Sequence, residues 1–438
     1  MAASDRFVCE NLGVNSAGHL TLAGQDTVSL AARYGTPLYL LDEDRIRRNC
    51  RVYTDAFRAH FPAGSRVLYA GKACCFKKLY RVIQEEGLGA DVVSCGEIQT
   101  ALAAGFDLRD AYFHSNNKTD ADIRFAMERG VGTFVADGTD ELSAIEQEAA
   151  RLGIRQQVLL RLTPGIDPHT YAAVATGQVD SKFGVAIETG QAMEAIRFAL
   201  RQSHIELMGF HCHVGSQVFA EDVFERSAAV MLTFLKSVEQ ELGFHARKLD
   251  LGGGYGVRYV PSDPYVDIGR KLRTLAETID RTCAQLGLTP PAILLEPGRS
   301  IVADAGMTLY TVGAVKRIPG YKTYVSVDGG MTDNPRYALY GSRYTSFCAA
   351  RMEEPAALEC QLVGRCCESG DILQPDACLP DSVRRGDLVA VCTTGAYNYS
   401  MASNYNRIGR PPVVMLRGGA SELAVRRETP EDLISLDL

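Results

Sequence analysis

The side chains best placed for chemistry follow short apolar runs. Tyr69-Ala70-Gly71-Lys72-Ala73 closes the run that begins at Arg66 and sets an amine between small residues. A lone lysine is ordinarily a solvated surface residue. Behind an apolar strand and partly desolvated, it has a lowered pKa and can condense with a carbonyl. Two carbonyls suit it: that of a sugar-like substrate, as in an aldolase, or the aldehyde of pyridoxal phosphate. Gly252-Gly253-Gly254-Tyr255-Gly256 exposes backbone N–H groups able to cradle a phosphate. It is not a dinucleotide fingerprint, because Val257 stands where a GxGxxG frame from Gly252 needs its third glycine. In Glu296-Pro297-Gly298-Arg299 the carboxylate has an electronic use: against a pyridine nitrogen it keeps that nitrogen protonated, which makes the ring a full electron sink. The alternative for Glu296 is a capping or salt-bridged surface residue. His213 offers a ring to stack on a cofactor, with His211 two residues away. As metal ligands the two histidines lack a nearby carboxylate to complete a zinc pattern, and Cys212 points to the opposite face, so no metal is expected.

These residues need a scaffold that gathers them. Eight strand-like runs alternate with helical periods: Arg66–Ala70, Ala90–Val93, Ala111–His114, Thr133–Ala136, Val158–Leu162, Glu206–His213, Lys248–Leu251 and Ala292–Leu295. Between them, Ala121–Glu128, Glu141–Leu152, Ala192–Arg201, Phe224–Leu242 and Ile268–Leu286 carry apolar residues at three- and four-residue spacing. Eight parallel βα units close most economically as a (β/α)8 TIM-type barrel, whose reactive groups collect at the carboxyl ends of the strands. Lys72, Asp91, His213, Gly254 and Glu296 all stand at or just beyond such ends. Gly252–Gly256 after the seventh strand and Glu296–Arg299 after the eighth match the usual barrel phosphate site, which favours a phosphorylated ligand.

Beyond Ile301 the pattern changes to alternating runs such as Thr308–Val315, Thr323–Val327 and Leu388–Cys392, broken by Gly, Pro and Asp. The first forty residues read the same way, with Pro37–Leu41 leading into a helical stretch, Glu43–His60. The expected architecture is a barrel over 37–304 and a second, antiparallel β domain formed by both chain ends, 1–36 and 305–438.

Composition narrows the partners. The 438 residues are 46% hydrophobic and 23% charged, an ordinary globular balance. Forty-six Lys+Arg against 53 Asp+Glu leave a net charge of -7, so no global basic field attracts nucleic acid or an anionic membrane, and no apolar run approaches a membrane span. A small molecule is the expected partner. The 13 cysteines are odd in number, scattered and never spaced as CxxC, and the start MAASDRFVCENLG lacks the apolar stretch of a signal peptide. A reducing cytoplasm is expected.

The β region holds its own polar clusters: Asp328-Gly329-Gly330-Met331, Asn334-Pro335-Arg336-Tyr337-Ala338-Leu339-Tyr340-Gly341, Cys366-Cys367-Glu368-Ser369-Gly370-Asp371 and Gly395-Ala396-Tyr397-Asn398-Tyr399-Ser400-Met401. For Asp328 and Asp371, turn and surface roles stay open. Taken in order, HCHVGSQ, LDLGGGYG, EPGR, NPRYALYG, CCESGD and GAYNYSMASNYN make the chain, from about Pro37 to Asn406, similar to the fold-type III pyridoxal-phosphate-dependent amino acid decarboxylases, and within them to the diaminopimelate decarboxylase family.

The resemblance implies that Lys72 holds pyridoxal 5'-phosphate as a Schiff base in the neighbourhood of Asp91, and that His213 stacks on its ring. It implies that Ser216, Gly254, the backbone of Glu296, Pro297, Gly298 and Arg299, and the Tyr397 hydroxyl surround the phosphate, with Glu296 on the pyridine nitrogen. Arg299, Arg336 and Tyr340, with Tyr397 nearby, would bind the carboxylate at the substrate's far end, and Glu368 its amino group. Cys367 would return a proton to Cα. In this family Cys367 and Glu368 come from the partner subunit, so the implied active unit is a homodimer. The implied reaction takes meso-2,6-diaminopimelate to L-lysine and carbon dioxide, the last step of lysine biosynthesis. Ala175–Phe183 resembles a loop that closes over the site. Departures are Cys74, where an asparagine often follows the alanine, and Arg365, where proline is common.

Four other readings compete. A racemase on this barrel would place an arginine on the pyridine nitrogen, where this chain has Glu296. Ornithine or arginine decarboxylases act on a cationic substrate end, for which Arg336 would be misplaced. A cofactor-free aldolase would use Lys72 alone. A non-catalytic regulator would have no need to keep Lys72, Glu296, Cys367 and Tyr397 together.

Overall fold

The computed structural model describes residues 7–166 and 181–438, so the expected closing loop Ala175–Phe183 lies outside the described residues except for its last three. The chain divides into two compact units: Asn49–Gly256 with Val266–Ser300, and Met1–Arg48 with Val257–Tyr265 and Ile301–Leu438.

The first unit is the barrel. Its strands are Arg66–Ala70, Gly89–Val92, Ala111–Phe113, Thr133–Ala136, Gln156–Thr163, Ile205–His211, Lys248–Asp250 and Ala292–Leu295. Each pairs in parallel with the next, and the eighth returns to the first with Leu294 opposite Arg66 and Leu295 opposite Val67. Strands covered on both faces read as continuous apolar runs, which is why Val158-Leu159-Leu160 carries no polar alternation and all three residues are fully buried. Leu68, Tyr112, Val135, Leu159, Met208 and Leu294, one from each of six strands, meet in one apolar cluster. The intervening helices begin and end where the sequence provides caps. Thr119 and Asp122 form a reciprocal capping box before Asp120–Glu128, while Asp267 caps Ile268–Leu286, which stops at Gly287 in the left-handed region.

The second unit is built around the 13-residue strand Gly306–Ile318, which pairs antiparallel with Leu38–Asp42, Lys322–Val327 and Leu388–Cys392. The sheet is mixed, not wholly antiparallel as expected. Leu38–Asp42 runs parallel to Val413–Arg417, and Lys322–Val327 runs parallel to Ala356–Val363. Both parallel pairs are joined by long stretches of chain, so no hairpin dictates their direction. The boundaries also move. Leu38–Asp42 is a strand of this sheet, so the division expected at 37 falls after Arg48. Val257–Tyr265 belongs here as well: Thr345 Oγ1 donates to the Tyr259 carbonyl at 2.8 Å, and the Tyr259 ring meets Tyr344 edge-on at 5.3 Å. Among the described residues no helix is long and apolar enough to cross a membrane.

At the centre of this unit Tyr310 is fully buried, and its hydroxyl donates to Asp333 Oδ1 at 2.5 Å. Asp333 Oδ2 accepts the Gly330 N–H at 2.9 Å. Burial pushes the Asp333 carboxyl up to about 7. Below the unfolded value both states hold the proton, and above about 7 neither does, so the cost of ionising Asp333 in the fold grows as pH rises through that window. Asparagine can present its oxygen to Gly330 and its nitrogen to Tyr310. The Asp333→Asn variant is therefore expected to gain stability on the parent between about pH 4 and pH 7, by at most about 4 kcal/mol. Paired thermal melts across that range check this. A pH-independent difference would remove the assignment.

Candidate active site

Lys72 sits in a single helical turn, Gly71–Ala73, directly after the first strand. The turn is fixed from below. Tyr69 donates its hydroxyl to the Cys74 carbonyl at 2.8 Å, and a Cβ on Gly71 would lie 2.6 Å from the Tyr80 hydroxyl and 3.1 Å from Glu97 Oε2. Only glycine lets the turn settle there. The expected partial desolvation of Lys72 is corrected: within the chain itself Lys72 is exposed, while its charge acts on His213, Asp91 and Glu97. Glu97 accepts the Val93 N–H at 2.9 Å, and burial followed by the nearby Asp91 raises its carboxyl to about 7.

Deeper in the same unit, five strand ends bring acids and imidazoles together. His114 Nε2 lies 2.6 Å from Glu296 Oε1 and 3.9 Å from Asp91, while His211 Nε2 lies 3.3 Å from Glu296 Oε2. Asp250, fully buried, accepts the Gly252 N–H at 2.9 Å through Oδ1. Ligand atoms of His114, His211, Asp250 and Glu296 all lie within 4.8 Å of one another. The expectation that no carboxylate stands near the histidine pair is thus corrected: the seventh and eighth strand ends deliver two to His211, and His213 lies outside this group.

The charges in this cluster are unequal. Burial raises Asp91 and Asp250, and Glu296 raises Asp250 further. Burial opposes ionisation of Glu296 too, but the His114 and His211 imidazoles outweigh it and hold Glu296 well below the ordinary carboxylate range. Burial drives His211 down to about 3. Glu296 is the ionised carboxylate of the group, and a protonated heterocyclic nitrogen is the partner it suits.

His213 is half-buried, and desolvation, then the Lys72 and Arg161 cations, push its pKa well below normal. Gly253 donates its N–H to His213 Nδ1 at 3.2 Å, so the neutral ring carries its proton on Nε2. Around it the loops after the sixth, seventh and eighth strands touch backbone to backbone. A Cβ on Gly254, whose φ is +120°, would lie 2.0 Å from the Gly215 carbonyl, and one on Gly253 would lie 2.1 Å from that of Glu296. A Cβ on Gly298 would lie 2.9 Å from that of Ala73 and 3.0 Å from that of Ala70, and Ala70 donates to the Pro297 carbonyl at 3.2 Å. Arg299 Nη2 donates to Ser216 Oγ at 2.9 Å. The result is a side-chain-free backbone cradle beside a ring-stacking histidine and an ionised carboxylate, which fits pyridoxal phosphate.

In the β unit, Arg336 opens the helix Arg336–Tyr340 and is only 7% exposed. Its guanidinium carbon lies 5.4 Å from the Tyr397 ring centroid, 5.6 Å from Tyr340 and 5.8 Å from Tyr259. Nη2 donates to Ser342 Oγ at 3.2 Å, Nε has no partner, and among the described residues no carboxylate pairs with it. Tyr397 is held at φ +61°, where a non-glycine residue is strained by about 1 kcal/mol or more, and Asn398 braces that turn by donating to the Thr394 and Ala396 carbonyls. Cys367 and Glu368 lie exposed on the loop after Ala356–Val363, where Cys367 is a free thiol whose backbone N–H donates to Asn406 Oδ1 at 2.8 Å.

The structure thus gathers Lys72, Asp91, His213, Ser216, Gly254, Glu296, Pro297, Gly298 and Arg299 in the barrel unit, and Arg336, Tyr340 and Tyr397 in the β unit. Sequence reasoning gave no site role to His114, Asp250, Glu97 and Arg161. A signal was present for the first two, since both end barrel strands, and for Arg161, an arginine inside an apolar run.

Residues 43–303 match the family model described as pyridoxal-dependent decarboxylase, pyridoxal binding domain. A diaminopimelate decarboxylase of Bacillus subtilis is 44% identical over 426 residues, covering 97% of this chain and 96% of its own. The crystal structure of diaminopimelate decarboxylase from M. jannaschii in complex with L-lysine superposes with a TM-score of 0.90 at 32% identity, covering 99% of this chain and 98% of that one. The Helicobacter pylori diaminopimelate decarboxylase complexed with L-lysine gives 0.85 at 31% identity, over 94% and 99%. With its closed barrel, its lysine turn and its glycine cradle, the chain belongs to the fold-type III pyridoxal-dependent decarboxylases, in the diaminopimelate decarboxylase family.

Proposed function

We propose that this chain decarboxylates meso-2,6-diaminopimelate to L-lysine and carbon dioxide, with pyridoxal 5'-phosphate bound at Lys72, as the last step of lysine biosynthesis in the cytoplasm. The observation that carries the substrate is Arg336: a buried, tyrosine-walled guanidinium with no carboxylate partner among the described residues calls for an anion from a ligand. A substrate with a second carboxylate supplies one, whereas the cationic end of ornithine or arginine would meet like charge.

When bound, pyridoxal phosphate supplies an electron sink for the pair left at an amino acid's Cα as a bond there breaks. Lys72 would be its covalent anchor. Glu296, ionised between His114 and His211, would hold a proton on the ring nitrogen. His213, neutral, would face the ring without the repulsion that a cationic imidazole would bring to a protonated heterocycle. The Gly252–Gly254 and Glu296–Arg299 backbones, with Ser216 and Tyr397, would receive the phosphate. Arg336, Tyr340 and Arg299 grip the distal carboxylate and Glu368 the distal ammonium, which selects the end that reacts. Cys367 returns a proton to Cα. Its exposure on the surface of a single chain suits a residue delivered to a partner, so the proposed active unit is a homodimer with shared sites.

Carbon dioxide release from meso-diaminopimelate, ornithine, arginine and lysine tests this directly. Turnover of meso-diaminopimelate is expected to exceed the others by at least about 100-fold, the scale on which a site rejects a substrate that leaves its buried charge unpaired. A preference for ornithine, arginine or lysine would overturn the assignment.

A further inference from the structure

Asp371 closes the Cys366-Cys367-Glu368-Ser369-Gly370-Asp371 run and is 3% exposed. Among the described residues no lysine or arginine pairs with it. Its carboxylate instead accepts two backbone N–H groups from two different loops: Met331 at 2.6 Å through Oδ1, and Cys366 at 2.7 Å through Oδ2. Those lengths are those of charge-assisted bonds. The loops are also joined by backbone, since Arg365 donates to the Gly329 carbonyl at 3.0 Å, and the second loop is closed on itself by Gly364 donating to the Asp371 carbonyl at 3.0 Å.

The neighbours make room for nothing else. A Cβ on Gly364 would lie 2.3 Å from Asp371 Oδ2 and 2.4 Å from Gly330 Cα, and a Cβ on Gly330 would lie 2.6 Å from Oδ2. On its other flank the Gly330 N–H is held by Asp333. The turn from Asp328 is therefore clamped between two carboxylates, and it runs directly through Asn334 and Pro335 into Arg336. One of the clamped loops carries the substrate-carboxylate arm, Arg336 and Tyr340. The other carries Cys367 and Glu368.

We propose that Asp371 is a positioning residue: its buried carboxylate latches the Cys367–Glu368 loop to the turn that leads into Arg336, so that both arms keep one fixed register. The inference rests on the catalytic reading of Cys367 and Glu368 given above. It acts through backbone groups, and Asp371 itself touches no substrate.

The test is Asp371→Asn in the full-length holoenzyme, with Gly364→Ala as a second variant that leaves Asp371 in place and pushes a methyl group against it. Asparagine has a single acceptor oxygen, so one of the two N–H donors is left facing an amide NH2. Three readouts are taken: cofactor absorbance, the kcat and KM for meso-diaminopimelate, and the rate at which iodoacetamide alkylates Cys367, followed by peptide mass mapping. Full cofactor loading, kcat/KM lowered about 10-fold or more, and an altered Cys367 alkylation rate are expected in both variants. An unchanged alkylation rate in both overturns the latch, whatever the activity. An altered rate with unchanged kcat and KM upholds the latch and overturns the catalytic reading of Cys367 and Glu368, so the two failures are told apart.

Discussion

Lys72→Ala is expected to lower carbon dioxide release by at least about 1,000-fold while leaving the melting temperature of the cofactor-free chain unchanged. The two halves of that expectation have separate causes. Lys72 is exposed, and the packing of its turn is carried by Gly71 on Tyr80 and Glu97 and by Ala73 beneath Gly298, so the apolar seat of the turn is kept. Surface substitutions of this kind stay within about 0.5 kcal/mol. The chemistry, in contrast, loses its covalent anchor. Borohydride should bleach the visible absorbance of the parent and leave a mass adduct on the peptide containing Lys72, and should leave none in the variant. The same variant reports on the subunit arrangement. Mixed with Cys367→Ala chains under exchange, it should recover about one quarter of parental activity, because half the dimers are mixed and each has one intact site. No recovery would refute sites shared between subunits.

The barrel was legible because its strands are buried on both faces. A strand with no solvent side is a continuous apolar run, and Arg66–Ala70, Thr133–Ala136 and Ala292–Leu295 have the observed limits for that reason. Leu38–Asp42 is just as apolar, but its partners Gly306–Ile318 and Val413–Arg417 lie hundreds of residues away, and no local pattern reports a partner. The site divides along the same line. Lys72, Glu296 and the glycines follow from their places after strands. Which carboxylate carries the charge does not, since Asp91, Asp250 and Glu296 are equivalent as letters. Two imidazoles from the third and sixth strand ends distinguish them, by holding Glu296 ionised while burial raises the other two. The role of Asp371 was equally hidden, because a carboxylate that binds two backbone N–H groups has the same sequence signature as one that ends a surface turn.

Replacement of Arg336 separates the substrate assignment from the reaction type. Arg336→Gln removes the guanidinium charge from a pocket walled by Tyr259, Tyr340 and Tyr397. In the free enzyme this leaves no carboxylate unpaired in that unit, so stability should be unchanged or higher. With substrate bound, a desolvated carboxylate loses its counter-charge, and the expected loss in kcat/KM for meso-diaminopimelate is about 30-fold to 1,000-fold. The distal carboxylate does not change during the reaction, so Arg336 holds it equally in the ground state and the transition state. The loss should therefore fall mainly on KM, with cofactor absorbance and the pH profile of kcat retained. Arg336→Lys keeps the charge but not the planar fork, and should lie between the two. A variant that loses kcat at constant KM would place Arg336 at the reacting carbon instead, and would remove the argument that a second carboxylate defines the substrate.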